Sequence, residues 1–139
     1  MSLRPFHLAF PVRDIAEARA FYGGLIGCAE GRSAAEWVDV VFYGHQIVAP
    51  RVEGAGGDAG GNPVDGHTVP VPHFGVVLDM AAWTALADRL TAAGTTFEIE
   101  PHVRFAGEPG EQATMFLRDP SGNAIEMKAF ASLDALFAT

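Results

Sequence analysis

The chain has one cysteine, Cys28, and one lysine, Lys128, among its 139 residues. A single thiol rules out an internal disulfide and suits a reducing compartment. Cys28 is read as a small buried apolar side chain in preference to a reactive thiol. No apolar run approaches the roughly 20 residues that span a bilayer. The N-terminal stretch has no basic segment followed by an apolar core, so no secretory leader is expected and the expected compartment is the cytoplasm. Nine basic residues face 17 acidic ones, a formal net charge of −8. Nucleic-acid binding needs a basic face to neutralise phosphates, so neither nucleic acid nor membrane is expected as a partner. The same acidity disfavours, more weakly, a substrate with several negative charges.

What is present describes a folded protein: 49% hydrophobic and 19% charged residues, in a length that suits one domain and not two ordinary ones. Within it, two segments read as copies of one unit. Phe6-His7-Leu8-Ala9-Phe10-Pro11-Val12 matches Pro72-His73-Phe74-Gly75-Val76-Val77-Leu78, and each copy opens on a histidine. Both are short strands leading into amphipathic helices. In the first, Asp14 and Glu17 have capping-box spacing, and Ile15, Ala18, Phe21, Tyr22, Leu25 and Ile26 make one stripe before Gly27. In the second, the helix near 81–93 carries Trp83, Leu86, Ala87 and Leu90, with Gly94 as its stop. Strands follow at 37–43 and 46–49 in the first copy, and at 97–100, 114–117 and 124–129 in the second, with Asp119-Pro120-Ser121-Gly122 as a strong turn. Residues from Ser132 suggest a short helix.

The expected fold is therefore α+β: two tandem βαβββ modules forming a cleft-bearing, partly open barrel-like sheet, all within one domain, 1–139. Module 1 covers about 4–52 and module 2 about 71–130, followed by a short C-terminal tail. The stretch between them, about 53–70, has glycines at 54, 56, 57, 60 and 61 and reads as a flexible linker without a phosphate-loop pattern.

Alternation places Leu8, Phe10 and Val12, and likewise Phe74, Val76 and Leu78, against the helices. That leaves His7 and His73 on the opposite side, where Glu126 joins them because Ile125 and Met127 take the apolar face. A carboxylate on a concave apolar surface is costly without a partner. Two histidines and one carboxylate with open positions opposite is the donor set of non-heme Fe(II) sites, and it also suits Mn, Zn, Co or Ni. His7, His73 and Glu126 are thus the expected ligands of one divalent metal ion, with Fe(II) favoured.

The whole chain resembles the vicinal oxygen chelate superfamily of glyoxalases, bleomycin- and fosfomycin-resistance proteins and extradiol dioxygenases. The resemblance is carried by Phe6-His7-Leu8-Ala9-Phe10-Pro11-Val12, Ala20-Phe21-Tyr22, His73-Phe74-Gly75-Val76 and Asp119-Pro120-Ser121-Gly122-Asn123-Ala124-Ile125-Glu126. Gly23-Gly24-Leu25-Ile26-Gly27-Cys28, Gly31-Arg32-Ser33 and Gly44-His45-Gln46 are most similar to a small extradiol-dioxygenase-like group. The resemblance implies ligands from the first and last strand of each copy: His7, His73, Glu126 and a fourth position occupied here by Val48. That departure counts against glyoxalase I activity, which uses a fourth protein ligand. Fosfomycin-resistance enzymes present a basic pocket, which one lysine and an excess of acid fit poorly.

What the resemblance implies is a metal-dependent, extradiol-type dioxygenase for a small substrate with vicinal oxygens, and a homodimer as the assembly. The alternatives are a metal-dependent isomerase or lyase of the glyoxalase or epimerase type, and a non-catalytic small-molecule binding or resistance protein. His102, Tyr43 and Arg104 are the catalytic candidates, since a base must take the substrate proton and the 106–111 loop follows His102 and Arg104. Gln46, His45 and Gln112 are the substrate-binding candidates, with Glu111 beside them. His67 is read as a solvated linker residue.

Overall fold

The computed structural model describes residues 3–56, 60–64 and 67–139. Two compact units divide the chain: Met1–Asp58 with Asp119–Asn123, and Ala59–Arg118 with Ala124–Thr139. The described strands form two four-stranded sheets, neither closed on itself, and one hairpin. The α+β expectation of two tandem modules thus holds.

The first unit contains β1 (His7–Ala9), α1 (Ile15–Arg19), β2 (Ala29–Ala34), β3 (Trp37–Phe42) and β4 (His45–Pro50), in sheet order β1-β4-β3-β2. The outer strand β1 runs parallel to β4, pairing His7 with Gln46, Leu8 with Ile47 and Ala9 with Val48. Asp14 caps α1 by accepting the Glu17 amide at 2.7 Å. The capping box is half made, because the Glu17 carboxylate is held by Arg13 at 2.7 and 3.0 Å. The helix expected over 15–26 is present in extent, but it widens to a π-helical turn over Ala20–Leu25. There Ile26 N–H reaches back five residues to the Phe21 carbonyl at 2.9 Å, the bonding that defines a π turn. The widened turn buries both Phe21 and Tyr22. All six residues of β2 are exposed, so no alternation marks that edge strand in the sequence.

Asp119 organises the turn 119–123. Its carboxylate accepts the Tyr22 hydroxyl at 2.7 Å, and the Ser121 amide, Asn123 amide and Asn123 side-chain N–H each at 2.9 Å. Asn123 also donates to the Pro11 carbonyl at 2.9 Å, and the Arg13 amide donates to Ser121 Oγ at 2.8 Å. A buried carboxylate with four donors is stabilised where a bare one would be expensive.

The second unit repeats the order as β7-β10-β9-β8. It contains β5 (Gly60–Val64), β6 (His67–Val71), β7 (Phe74–Leu78), α2 (Met80–Ala92), β8 (Phe97–Arg104), β9 (Gln112–Arg118) and β10 (Ala124–Phe130). Asp79 caps α2 through the Ala82 amide at 2.7 Å, and Gly94 follows it at φ 78°. Trp83, Leu86, Ala87 and Leu90 bury the expected stripe, and the Trp83 indole N–H donates to the Met127 carbonyl at 2.8 Å. Each such large side chain removed from water contributes roughly 1.5–3 kcal/mol.

Two expectations need correcting. The 53–70 stretch carries a hairpin, with β5 paired antiparallel to β6 from Gly60 opposite Val71 to Val64 opposite His67. A ladder is made by backbone groups, so the glycines that suggested a linker do not prevent it; positions 57–59 and 65–66 lie outside the described residues. The strand expected at 97–100 continues to Arg104. Its register slips between Ile99 and His102, and the bulge hides its periodicity from a two-residue alternation test.

Candidate functional site

The second unit holds a cavity of about 300 Å³ lined by His67, Val69, His73, Ile99, His102, Arg104, Thr114, Phe116, Glu126 and Lys128. Its floor is one face of the β8-β9-β10 sheet. Met115, Leu117, Ile125, Met127 and Ala129 are buried on the other face, which turns Thr114, Phe116, Glu126 and Lys128 toward the cavity. In β8 an unbroken strand would put Ile99 and His102 on opposite faces. The register slip between them restores both to the cavity side.

His73 immediately precedes β7, and its Nδ1 lies 2.7 Å from the Pro70 carbonyl. A carbonyl only accepts, so Nδ1 carries the proton and the neutral ring presents a bare Nε2. That Nε2 faces Glu126 Oε2 at 3.5 Å. The other carboxylate oxygen accepts the Thr114 hydroxyl at 3.1 Å. Two acceptors opposed in this way need a positive centre between them, either a proton on Nε2 or a cation. Ligand bonds of about 2.1 Å meeting near the tetrahedral angle span about 3.4 Å, so the pair fits a divalent metal. The Phe116 ring stands edge-on to the His73 ring, centroids 5.0 Å apart, and closes one side with apolar surface.

Gly75 makes this approach possible. It pairs with Glu126 across the parallel β7/β10 ladder. A Cβ there would lie 1.5 Å from the Glu126 carbonyl oxygen, so no other residue fits without moving the strand that carries the carboxylate.

In the first unit, His7 Nδ1 lies 2.9 Å from Gln46 Oε1, and Gln46 Nε2 donates to Asp39 Oδ2 at 3.2 Å. The Asp39 carboxylate fixes the amide direction, since it can only accept from the NH₂ group. The amide oxygen must then accept from His7 Nδ1–H, and His7 also presents a bare Nε2. Gln46, a substrate-binding candidate in the sequence, here orients His7. Both histidines are thus locked in the tautomer that metal-ligating imidazoles need. His7 and the His73–Glu126 pair belong to different units, and no group of three His, Cys, Asp or Glu side chains able to hold an ion is found among the described residues.

The remaining candidates are placed as follows. His102 lines the 300 Å³ cavity, and its Nδ1 donates to the Glu100 carbonyl at 2.9 Å, leaving Nε2 as an acceptor. Arg104 lines the same cavity, its guanidinium 5.0 Å from the Phe105 ring centroid. Gln112 pairs with Arg104 in the ladder. His45 and Gln46 line a separate, shallower hollow of about 270 Å³ with Asp39 and Arg32. His45 Nδ1 accepts the Phe6 amide at 2.8 Å, so its neutral ring is protonated at Nε2 and offers no base. Tyr43 sits in the turn after β3 at φ 51°, with its ring edge-on to Phe42. Glu111 accepts the Gly107 amide at 3.1 Å and closes its own loop. His67 is exposed, as expected of a solvated residue, but it belongs to a strand and not a linker: it begins β6, lines the cavity and stacks on His102 at 5.5 Å.

Sequence reasoning missed Asp39 and Thr114, the groups that hold Gln46 and Glu126. Each sits in a strand next to the one it serves, and only the ladder register reveals the pairing. Cys28 is partly buried, and burial pushes its thiol up to about 11, away from nucleophile chemistry.

A model of the Glyoxalase/Bleomycin resistance protein/Dioxygenase superfamily matches residues 4–127. The chain is similar to the glyoxalase/bleomycin resistance protein/dioxygenase of Alicyclobacillus acidocaldarius, at 29% identity and TM-score 0.78 over 96% of both chains. The genomically encoded fosfomycin resistance protein of Listeria monocytogenes shares the fold at 15% identity and TM-score 0.69, over 97% of this chain and 99% of that one. So does lactoylglutathione lyase from Agrobacterium tumefaciens, at 18% and 0.64, over 98% and 97%. Comparison with the curated proteins finds no match. No described helix is long and apolar enough to cross a membrane.

Proposed function

The chain belongs to the glyoxalase/bleomycin resistance protein/dioxygenase superfamily, and from that membership we propose that it is a metal-dependent, extradiol-type dioxygenase for a small substrate with two adjacent oxygens. One observation carries the reading: His73, its Nδ1 engaged by the Pro70 carbonyl, turns Nε2 toward the Glu126 carboxylate at 3.5 Å. His73 and Glu126 would hold the ion, with His7 as third donor by its matching position in the duplicated unit. When bound, Fe(II) or a similar ion supplies Lewis-acid polarisation of the substrate oxygens and the one-electron chemistry that O₂ requires.

The chain's own groups do the rest. Pro70 and Thr114 hold the ring and carboxylate in place, so no reorganisation is needed when substrate arrives. His102 Nε2 is the base that takes a substrate hydroxyl proton; it lines the same cavity, and its Nδ1 is already committed to Glu100. Phe116 and Ile99 give an aromatic substrate an apolar wall and keep water from its ring. Superfamily members often act on small molecules and form dimers; a cytoplasmic homodimer is the matching expectation here.

Metal content by elemental analysis, on protein purified without chelator or affinity-tag metal, tests the reading beside His73→Ala and Glu126→Gln. About one equivalent of Fe or Mn in the wild type, lost in both variants, and O₂ uptake with catechol are expected. Bound metal without O₂ uptake, but with turnover of a hydroxy-carbonyl substrate, would move the assignment to an isomerase or lyase. No metal retained after reconstitution would leave a binding protein.

A further inference from the structure

The cavity floor in the second unit is ordered in cross-strand rows. Ile99, Phe116 and Glu126 form the first row, His102, Thr114 and Lys128 the second, and Arg104, Gln112 and Phe130 the third, of which only Arg104 reaches the cavity. Rows two residues apart lie about 7 Å apart along the strands. The His73–Glu126 donor pair is at the first row, and the formal cations stand at the second and third.

The distribution is unlike that of the whole chain. A protein of net charge −8 sets its only lysine, an arginine and three of its five histidines around this cavity, against the single carboxylate of Glu126. Glu126 already faces His73 and Thr114. The Lys128 ammonium lies 5.7 Å from the Phe130 ring centroid and ion-pairs with none of the described residues. Its neighbours Met127 and Ala129 are buried on the other face, so the side chain has only the cavity side to occupy.

We propose that the cavity takes a substrate bearing an oxyanionic group, one row (about 7 Å) from its metal-facing oxygens, received by Lys128 with Arg104 beyond it. The orientation rests on the function proposed above; the anion site itself does not. Row one recognises a pair of oxygens, Phe116 and Ile99 flank an apolar spacer, and row two neutralises a charge. A partly enclosed cation is worth more to an anion than one on open surface, because less water screens it.

The test uses the full-length protein and two probes that differ by one group: catechol, and 3,4-dihydroxybenzoate, whose carboxylate lies across the ring from its paired hydroxyls. Titration calorimetry of Mn(II)-loaded protein at low salt is expected to show the carboxylate compound binding about tenfold tighter, as one charge-assisted contact of about 1.4 kcal/mol gives. Lys128→Met should abolish that preference while catechol affinity stays; Lys128→Arg should restore it; added salt should shrink it. Equal affinity for the two probes, no binding of either, or a preference that survives Lys128→Met would overturn the proposal. Benzoate on metal-free protein separates this from the metal reading. Binding that depends on Lys128 upholds the anion site even if no metal is retained, and its absence counts against the site whatever the metal does.

Discussion

The two units share a strand order, a parallel outer strand and a histidine at its start, yet they answer that histidine differently. In the first, His7 meets an amide, and a carboxylate one strand further in holds the amide. In the second, His73 meets a backbone carbonyl on one nitrogen and a carboxylate on the other. The backbone records the difference too. Two residues past each histidine stand Ala9, opposite Val48, and Gly75, opposite Glu126. One copy has kept a passive strand pair. The other has drawn its strands close enough that a single methyl would collide with the Glu126 carbonyl.

Breaking this asymmetry should give the largest effect. Gly75→Ala forces a Cβ onto the Glu126 carbonyl oxygen and should cost about 3 kcal/mol or more by chemical denaturation, at the upper end for overpacking. Ala9→Gly, the reciprocal change, should cost only about 0.5–1 kcal/mol. Equal costs would show that the close approach is not specific to the second unit.

Duplication, helices, caps and the glycine stops were legible from residue periodicity, because each depends on a pattern within a few positions. The inward turn of Glu126 was legible for the same reason. What escaped depends on register. Thr114 and Asp39 act across neighbouring strands, and the bulge before His102 overrides alternation. Composition misled in two places. Glycine suggested a linker where a hairpin forms, and a net charge of −8 argued against a basic pocket where Arg104 and Lys128 share a wall.

Next in size is Glu126, the carboxylate proposed to hold the metal. Glu126→Gln keeps the shape and removes the charge, so metal affinity should fall about a hundredfold or more while the fold survives, as loss of a ligand demands. Asp39→Asn should cost about tenfold, since it acts only through Gln46 on His7. The nitrogen NMR signals of the metal-free protein separate the two histidines. Asp39→Asn should turn His7 into a mixture of tautomers and leave His73, held by Pro70, as a single one. A change at both, or at neither, would dissolve the distinction between the copies.

The smallest effect concerns the first unit alone, which holds both tyrosines and the cysteine. Burial holds the Tyr22 hydroxyl well above its usual pKa, and the adjacent Asp119 carboxylate adds to the shift. Burial likewise raises Cys28 from 9.0 to about 11. Both groups are neutral when protonated, and the fold favours that neutral form. Below the unfolded values of 9.0 and 10.0 both states keep their protons, and this stability is fully present. Above them the unfolded chain ionises while the folded one does not, so stability falls with pH until the folded pKa values are passed. Denaturation midpoints measured from pH 8 upward should therefore decline from about pH 9. Cys28→Ala should flatten the lower part of the decline and Tyr22→Phe the upper part. Tyr22→Phe should also cost about 1 kcal/mol at neutral pH, because Asn123 continues to satisfy Asp119 Oδ2. In a Tyr43→Phe background all tyrosinate absorbance reports Tyr22. If it appears before the unfolding transition, the Tyr22–Asp119 contact is open in solution and the first unit is not closed around that carboxylate.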